Sequence, residues 1–105
     1  MERPASMTEV RREVYGHDGR ATNKHSERVY RAQSGGLYHL SRCLDGCPPF
    51  FEAYGPYRER HCGVLPRLSV NGEEYWGDGW TWGQAERAFF GAVSAIESQQ
   101  AGAVQ

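Results

Sequence analysis

The chain has 105 residues, the size of a single domain, and no stretch approaches the roughly 20 apolar positions that a membrane-spanning helix needs. Its formal net charge of −1 argues against a dedicated nucleic-acid binder, so we expect neither nucleic acid nor a membrane as a partner. The N-terminal segment lacks the apolar region of a secretory signal, which predicts a cytoplasmic protein.

The charge is unevenly distributed along the chain. Residues 1–68 carry 11 basic and 8 acidic side chains, whereas residues 69–105 carry one basic side chain, Arg87, and 5 acidic ones. Arginine greatly outnumbers lysine among the basic residues, which a genome rich in arginine codons would explain. The uneven distribution of charge would instead be explained by a bipolar surface that binds a charged partner. The sequence leaves both explanations open.

The first strand is predicted from Glu9 to Tyr15. This segment alternates polar residues with β-branched and aromatic ones. His17 and Asp18 follow it between two glycines, and the two interpretations of this segment are a turn or an acid–base pair. A turn explains the Asp-Gly sequence better.

Residues 27–43 have two interpretations. One is a hairpin that turns through Ser34-Gly35-Gly36, and the other is a helix over residues 26–33 followed by a single strand. Both predict a strand over 37–43. The hairpin places Leu37, His39 and Ser41 on one face of that strand.

Aromatic residues dominate the segment from Phe50 to Arg60. Those at positions 50, 54 and 57 have helical spacing, but Gly55-Pro56 would end such a helix after about one turn. We expect a short helix or an ordered aromatic loop. Farther along, residues 66–70 and 73–77 are strand-like and are joined by Asn71-Gly72, which predicts a hairpin with a type I′ turn.

The last element is a helix from about Trp82 to Ser98. Thr81 and Gln84 have the spacing of a capping box, and Trp80 and Ala85 that of a hydrophobic staple. An apolar stripe follows at Trp82, Ala85, Phe89, Ala92 or Val93, and Ile96, with Gly91 predicted to mark close packing on the sheet. The fold prediction is therefore one α+β domain over residues 9–98, with about four strands covered on one face by this helix. Residues 1–8 and 99–105 are predicted to be flexible tails.

The cysteines are the first candidates for a chemical site. Cys43-x3-Cys47 has His39 before it and His61-Cys62 after it, which offers five donors where a structural zinc needs about four. The spacing also suits a redox pair of Cys43 and Cys47, or small buried hydrophobic residues. Zinc is therefore a candidate cofactor, and the three alternatives stay open.

The block from Gly63 to Gly77 followed by a helix resembles the second half of the thioredoxin-like fold, with Pro66 at the place of that family's cis-proline. Cys43 and Cys47 resemble the second cysteine pair of the thioredoxin-like [2Fe-2S] ferredoxins. The resemblance covers about residues 37–98 and implies a redox or cluster-binding protein. The first cysteine pair of that family is missing, because residues 16–23 contain no cysteine.

The function predicted from the sequence is a small non-catalytic binding or regulatory module, an adaptor or an inhibitor, that acts on another protein. No nucleophile or acid–base pair is placed, so we expect no catalytic residues. Arginine and tryptophan are enriched at protein interfaces, which makes Arg58, Arg60, Arg67 and Trp76 the candidate contacts. The alternative is a thiol- or metal-dependent redox protein that uses Cys43 and Cys47.

Overall fold

The computed structural model describes residues 3–15, 25–43, 50–69, 75–76 and 79–103. The strands are β1 (Thr8–Tyr15), β2 (His25–Arg31), β3 (Leu37–Cys43), β4 (Phe50–Tyr57) and β5 (Tyr75–Trp76), and the helix is α1 (Trp82–Ala103). The strands form one antiparallel sheet in the order of the sequence, and α1 packs on one of its faces. The predicted α+β domain with a C-terminal helix on a small sheet is confirmed.

The hairpin interpretation of residues 27–43 is confirmed, and the helix over residues 26–33 is wrong. β2 and β3 pair from Arg31 opposite Leu37 to His25 opposite Cys43. The turn is closed by the Gly35 amide, which donates to the Ala32 carbonyl at 2.9 Å, and Gly35 has the positive φ that glycine allows. Cross-strand pairing with β1 and β3 on either side outweighs the weak helical signal of this segment.

The prediction of a short helix or aromatic loop at residues 50–60 is wrong, because residues 50–57 form β4. Phe51 and Ala53 are buried under α1, whereas Glu52 and Tyr54 lie on the other face, which is the period of a strand. Gly55 is required here: a Cβ at this position would lie 2.6 Å from the Leu37 carbonyl oxygen. The β3–β4 register shifts beside it, and the Gly55-Pro56 peptide bond is cis.

Both outer edges of the sheet are irregular. The register of β1 against β2 shifts between Glu9 and Arg11. At the other edge, Arg67 pairs with Tyr54 of β4 and Tyr75 pairs with Glu52, so the two predicted hairpin strands lie end to end along β4 where the structure describes them. They are not paired with each other there, and Asn71-Gly72 lies outside the described residues.

Helix α1 begins where its capping box predicts. The Thr81 amide donates to Gln84 Oε1 at 2.8 Å, and the Gln84 amide donates to Thr81 Oγ1 at 3.2 Å. Trp80 packs against the core, as the hydrophobic staple predicts, and Ala85 is fully buried. The helix continues to Ala103, beyond the predicted end of the domain.

The core lies between α1 and the sheet. Tyr30 packs edge-on against Phe90, with ring centroids 5.3 Å apart, and Met7 joins the same cluster ahead of β1. The predicted stripe is confirmed at Ala85, Phe89 and Val93. Gly91 is a correction, because a Cβ there would meet nothing within 4 Å. Close packing therefore does not require glycine at this position.

No helix in the described part of the chain is long and apolar enough to cross a membrane.

Candidate functional site

The face of the sheet opposite α1 buries a polar cluster. Because side chains alternate along a strand, the residues of β2 and β3 that do not face α1 point together to this second face. Glu27, His39 and Ser41 lie there with relative exposures of 6%, 9% and 5%. We call them, with Arg11 of β1, the polar cluster.

Every member of the polar cluster has a close partner. His39 Nε2 lies 2.9 Å from Glu27 Oε2 and 2.7 Å from Ser41 Oγ. An Arg11 guanidinium nitrogen lies 2.9 Å from Glu27 Oε1, so both oxygens of the buried carboxylate are engaged. The Tyr54 ring packs on the His39 imidazole, with centroids 5.4 Å apart. These contacts compensate the cost of burying an acidic side chain.

The polar cluster contains serine, histidine and glutamate but does not form a proton relay. In a relay, one imidazole nitrogen faces the hydroxyl and the other faces the carboxylate. Here both contacts are made by His39 Nε2. Glu27 therefore does not contact the second ring nitrogen, through which the carboxylate of a serine triad orients the imidazole, so these contacts differ from those of a triad.

A loop covers part of the same face. The chain leaves β4 at Tyr57 and returns to its edge near Arg67; we call residues 58–66 the β4–β5 loop. His61 Nε2 lies 2.9 Å from the Val64 carbonyl oxygen, which stabilises the bend of the loop. The loop and the sheet enclose an open hollow of about 610 Å³, lined by Val10, Arg11, Val29, Arg31, Leu37, His39, Tyr57, Arg58, Glu59, His61 and Leu65.

The hollow has an apolar floor and a charged rim. Val29 and Leu37 are buried in its floor, while Arg58 and Glu59 are exposed at its rim. Glu59 forms an ion pair with Arg31, which ties the loop to β2. A concave surface of this kind provides apolar contact at its centre and charge at its edge, which is the anatomy of a binding site.

Tyr57 lies between the polar cluster and the loop. Burial raises the pKa of Tyr57 above its ordinary value, the Arg11 charge opposes the shift, and the Glu27 charge adds to it. The phenol therefore stays neutral at physiological pH. Its ring also contacts His61, with centroids 6.4 Å apart.

The β4–β5 loop is the most exposed described segment next to the hollow. Val64 is 89% exposed, although it is a large apolar residue. Arg58 and Arg60 are exposed in the same loop, and Gly63 has a positive φ that lets the chain turn just before Val64. An isolated exposed valine is ordinary, but this one lies in the loop that borders the hollow, next in sequence to Leu65 of its lining.

The described candidate metal ligands have different partners. His39 belongs to the polar cluster, His61 bonds the loop backbone, and Cys62 is exposed with a free thiol. Cys43 is half-buried and free at the end of β3, and Cys47 lies outside the described residues. Within the described ranges, no three His, Cys, Asp or Glu side chains come together to hold a metal ion. Zinc binding and a redox role for Cys43 and Cys47 stay predictions.

The predicted partner contacts fall into two groups. Arg58 and Arg60 are exposed in the β4–β5 loop, as a contact requires. Arg67 is half-buried instead: it lies 3.2 Å from Glu52 and over the Tyr54 ring at 5.3 Å, so it stabilises the edge of the sheet. Trp76 lies in β5, and its side chain is not among the described ones.

Sequence reasoning missed Arg11 and Glu27 as site residues. The sequence does contain a signal for Glu27, because the predicted hairpin turn sets the register that brings Glu27 opposite Ser41. An acidic residue opposite a serine and diagonal to a histidine on one face predicts a polar cluster. That step depends on first choosing the hairpin over the helix.

Comparison of the chain with protein-family models, with curated proteins and with solved structures finds no match. The resemblance to the thioredoxin-like fold therefore stays a prediction from the sequence.

Proposed function

We propose that this protein is a non-catalytic binding or regulatory module, an adaptor or an inhibitor, that acts on another protein through the hollow and the β4–β5 loop. The observation that carries the proposal is the nearly fully exposed Val64, which lies in the loop that borders the hollow and also carries the exposed Arg58 and Arg60. Apolar contact surrounded by arginine is a recurrent pattern of protein interfaces.

The shape of the hollow favours a polypeptide over a small molecule. It is a wide, open depression between the sheet and the loop rather than an enclosed cavity. Small-molecule sites bury most of their ligand in a closed pocket, whereas an open depression suits a side chain that projects from a larger surface. An apolar side chain of the partner would contact Val29 and Leu37 there.

The chemistry of the polar cluster also favours binding over catalysis. His39 contacts Ser41 and Glu27 through one nitrogen, so it serves to hold β2 and β3 in register under the hollow. A rigid floor lowers the entropy lost when a partner binds. The cluster then acts as support for the surface rather than as a reactive group.

The test places a photo-crosslinking amino acid at Val64 and, as a control, at Ala95, which is exposed on α1. We expect position 64 alone to capture a discrete protein from the source cell. With that partner purified, Val64→Asp should weaken binding by about tenfold or more, because the apolar contact is lost. Arg58→Glu and Arg60→Glu should slow association more than they speed dissociation, since rim charges act through steering.

Ala95→Asp is the matched control and should leave affinity and association rate unchanged. Equal capture at positions 64 and 95, or full affinity in Val64→Asp, would contradict the proposal. Tight and salt-sensitive binding to random DNA or RNA would replace it with a nucleic-acid function.

A further inference from the structure

A second surface lies on the helix side of the sheet, away from the β4–β5 loop. A groove of about 570 Å³ runs between the N-terminal segment and β1 on one side and the first turns of α1 on the other. Its lining includes Arg3, Arg12, Tyr30, Gly83, Glu86 and Arg87. Arg3 and Arg12 come from one wall, and Arg87 comes from the other, so arginines of distant sequence segments line the same groove.

The groove has more positive charge than its carboxylates neutralise. Glu9 is shared by two arginines, with Arg12 Nε 2.5 Å and Arg3 3.8 Å from its oxygens. Glu86 of α1 pairs with Arg28 of β2. Arg28 and Glu9 are partners of lining residues rather than part of the lining. Counted with them, the groove has four guanidinium groups against two carboxylates, an excess of two positive charges among the described side chains.

The arrangement also places like charges next to each other. Arg12 and Arg28 are directly opposite across β1 and β2, where like charges destabilise a sheet. Burial lowers the pKa of Arg28, and the neighbouring Arg12 charge lowers it further. Arg28 also packs over the Trp82 ring, with its guanidinium carbon 4.0 Å from the ring centroid, so it is not free to turn away into solvent. A bound anion would relieve this repulsion.

We propose that this groove binds a phosphate group. A phosphomonoester carries a charge of about −1.5 to −2 at neutral pH, which matches the excess in the groove. The planar guanidinium group bonds two phosphate oxygens at once, and this geometry suits Arg12 and Arg87 on opposite walls. Gly83 on the helix wall has no side chain to obstruct the ligand. The phosphate is carried by a phosphorylated residue of a protein or by a free phosphorylated small molecule.

The test follows amide NMR shifts of the full chain while inorganic phosphate is added at constant ionic strength. We expect shifts at Arg12, Gly83 and Arg87 to saturate at millimolar phosphate or below. Arg12→Gln and Arg87→Gln should each weaken the affinity by about tenfold, the usual effect of losing one hydrogen bond to a charged group. Arg12→Lys should weaken the phosphate affinity by an intermediate amount, because lysine keeps the positive charge but cannot make the bidentate contact.

Arg60→Gln is the matched control: it removes the same charge from the exposed β4–β5 loop and should leave phosphate affinity unchanged. Equal weakening in Arg60→Gln, or no saturable shift in the wild-type groove, would overturn the proposal. A phosphorylated peptide that binds more tightly than inorganic phosphate, with its unphosphorylated form inert, identifies a protein as the source. Peptide binding no tighter than that of inorganic phosphate counts against a phosphorylated protein as the source. Neither result depends on the loop contacts, so this inference and the proposed function fail separately.

Discussion

The two faces of the sheet are both buried, but by different chemistry. Under α1, Phe51 and Phe89 are fully buried in a cluster of rings and aliphatic side chains. On the opposite face, Glu27 and His39 are nearly as well buried, yet they are polar and are covered by a loop and neighbouring side chains instead of a helix. Similar burial on the two faces therefore results from different interactions: apolar packing under α1, and hydrogen bonds and ion pairs on the opposite face.

The contrast between the two faces determines which substitutions this fold tolerates. Apolar burial is non-directional, so the cost of a substitution under α1 follows the volume removed. A buried polar group depends on its partner, so the cost on the other face is set by which hydrogen bonds and ion pairs the substitution breaks. The first face supplies the bulk of the stability, and the second holds the geometry of the hollow.

Truncation of Phe89 should reduce the stability of the fold more than any other change proposed below. Phe89→Ala should lower the free energy of unfolding by about 3–5 kcal/mol, because it opens a cavity where α1 meets the sheet. Urea unfolding measures the change, and Val64→Ala on the exposed loop is the control, with an effect within about 0.5 kcal/mol. A loss at Phe89 no larger than at Val64 would mean that α1 does not supply the core.

The polar face is tested by Glu27→Gln. The glutamine side chain keeps the shape of Glu27 but removes the charge that Arg11 and His39 contact. We therefore expect the free energy of unfolding to fall by about 2 kcal/mol. Glu59→Gln removes the same charge from an exposed pair and should cost no more than about 1 kcal/mol. Similar losses in the two variants would show that the polar cluster is only a surface feature.

A comparison of one tyrosine on each face at alkaline pH should give the smallest changes in the free energy of unfolding. Burial, and then the hydrogen bond that the Tyr38 hydroxyl donates to Glu97 at 2.7 Å, raise the pKa of Tyr38 above its ordinary value near 10. The neutral phenol therefore favours the folded state, and its contribution is present below pH of about 10 and is lost as pH rises toward the folded pKa. Tyr38→Phe should lose about 1 kcal/mol at pH 7 and show a shallower decline of stability above pH 10.

Tyr57→Phe gives the matching measurement on the polar face. Burial raises the pKa of Tyr57 too, but the Arg11 charge opposes that shift, so this variant should change the alkaline slope less than Tyr38→Phe. Urea unfolding at several pH values reports both slopes. A steeper decline in Tyr38→Phe than in the wild type would contradict the assignment.

The helix side of the fold could be predicted from the sequence because its signals are local. Thr81 and Gln84 lie within one turn, and the stripe through Phe89 and Val93 repeats with the helical period. Such signals do not depend on what the rest of the chain does. The prediction that Gly91 marks close packing is wrong, because glycine occurs in helices for several reasons and the sequence does not distinguish them.

The polar side could not be predicted as well, because its contacts join residues that are distant in the sequence. Arg11 meets Glu27 only after β1 has paired with β2, and His39 joins them only after β2 has paired with β3. The strand β4 escapes prediction for a related reason: the aromatic spacing from Phe50 to Tyr57 fits a helix and a strand alike, and pairing with β3 decides between them. Outside hairpin turns such as the one between β2 and β3, cross-strand pairing has no local signature in the sequence.

The irregular outer strands also bear on how the chain behaves at high concentration. A straight, regular edge strand offers a row of free backbone donors and acceptors on which further copies can stack into fibrils. Here the register of β1 against β2 shifts between Glu9 and Arg11. At the opposite edge, β4 pairs separately with Arg67 and with the two-residue β5. Neither border presents an unbroken, regular ladder in the described part of the sheet, and such irregularities disfavour edge-to-edge polymerisation.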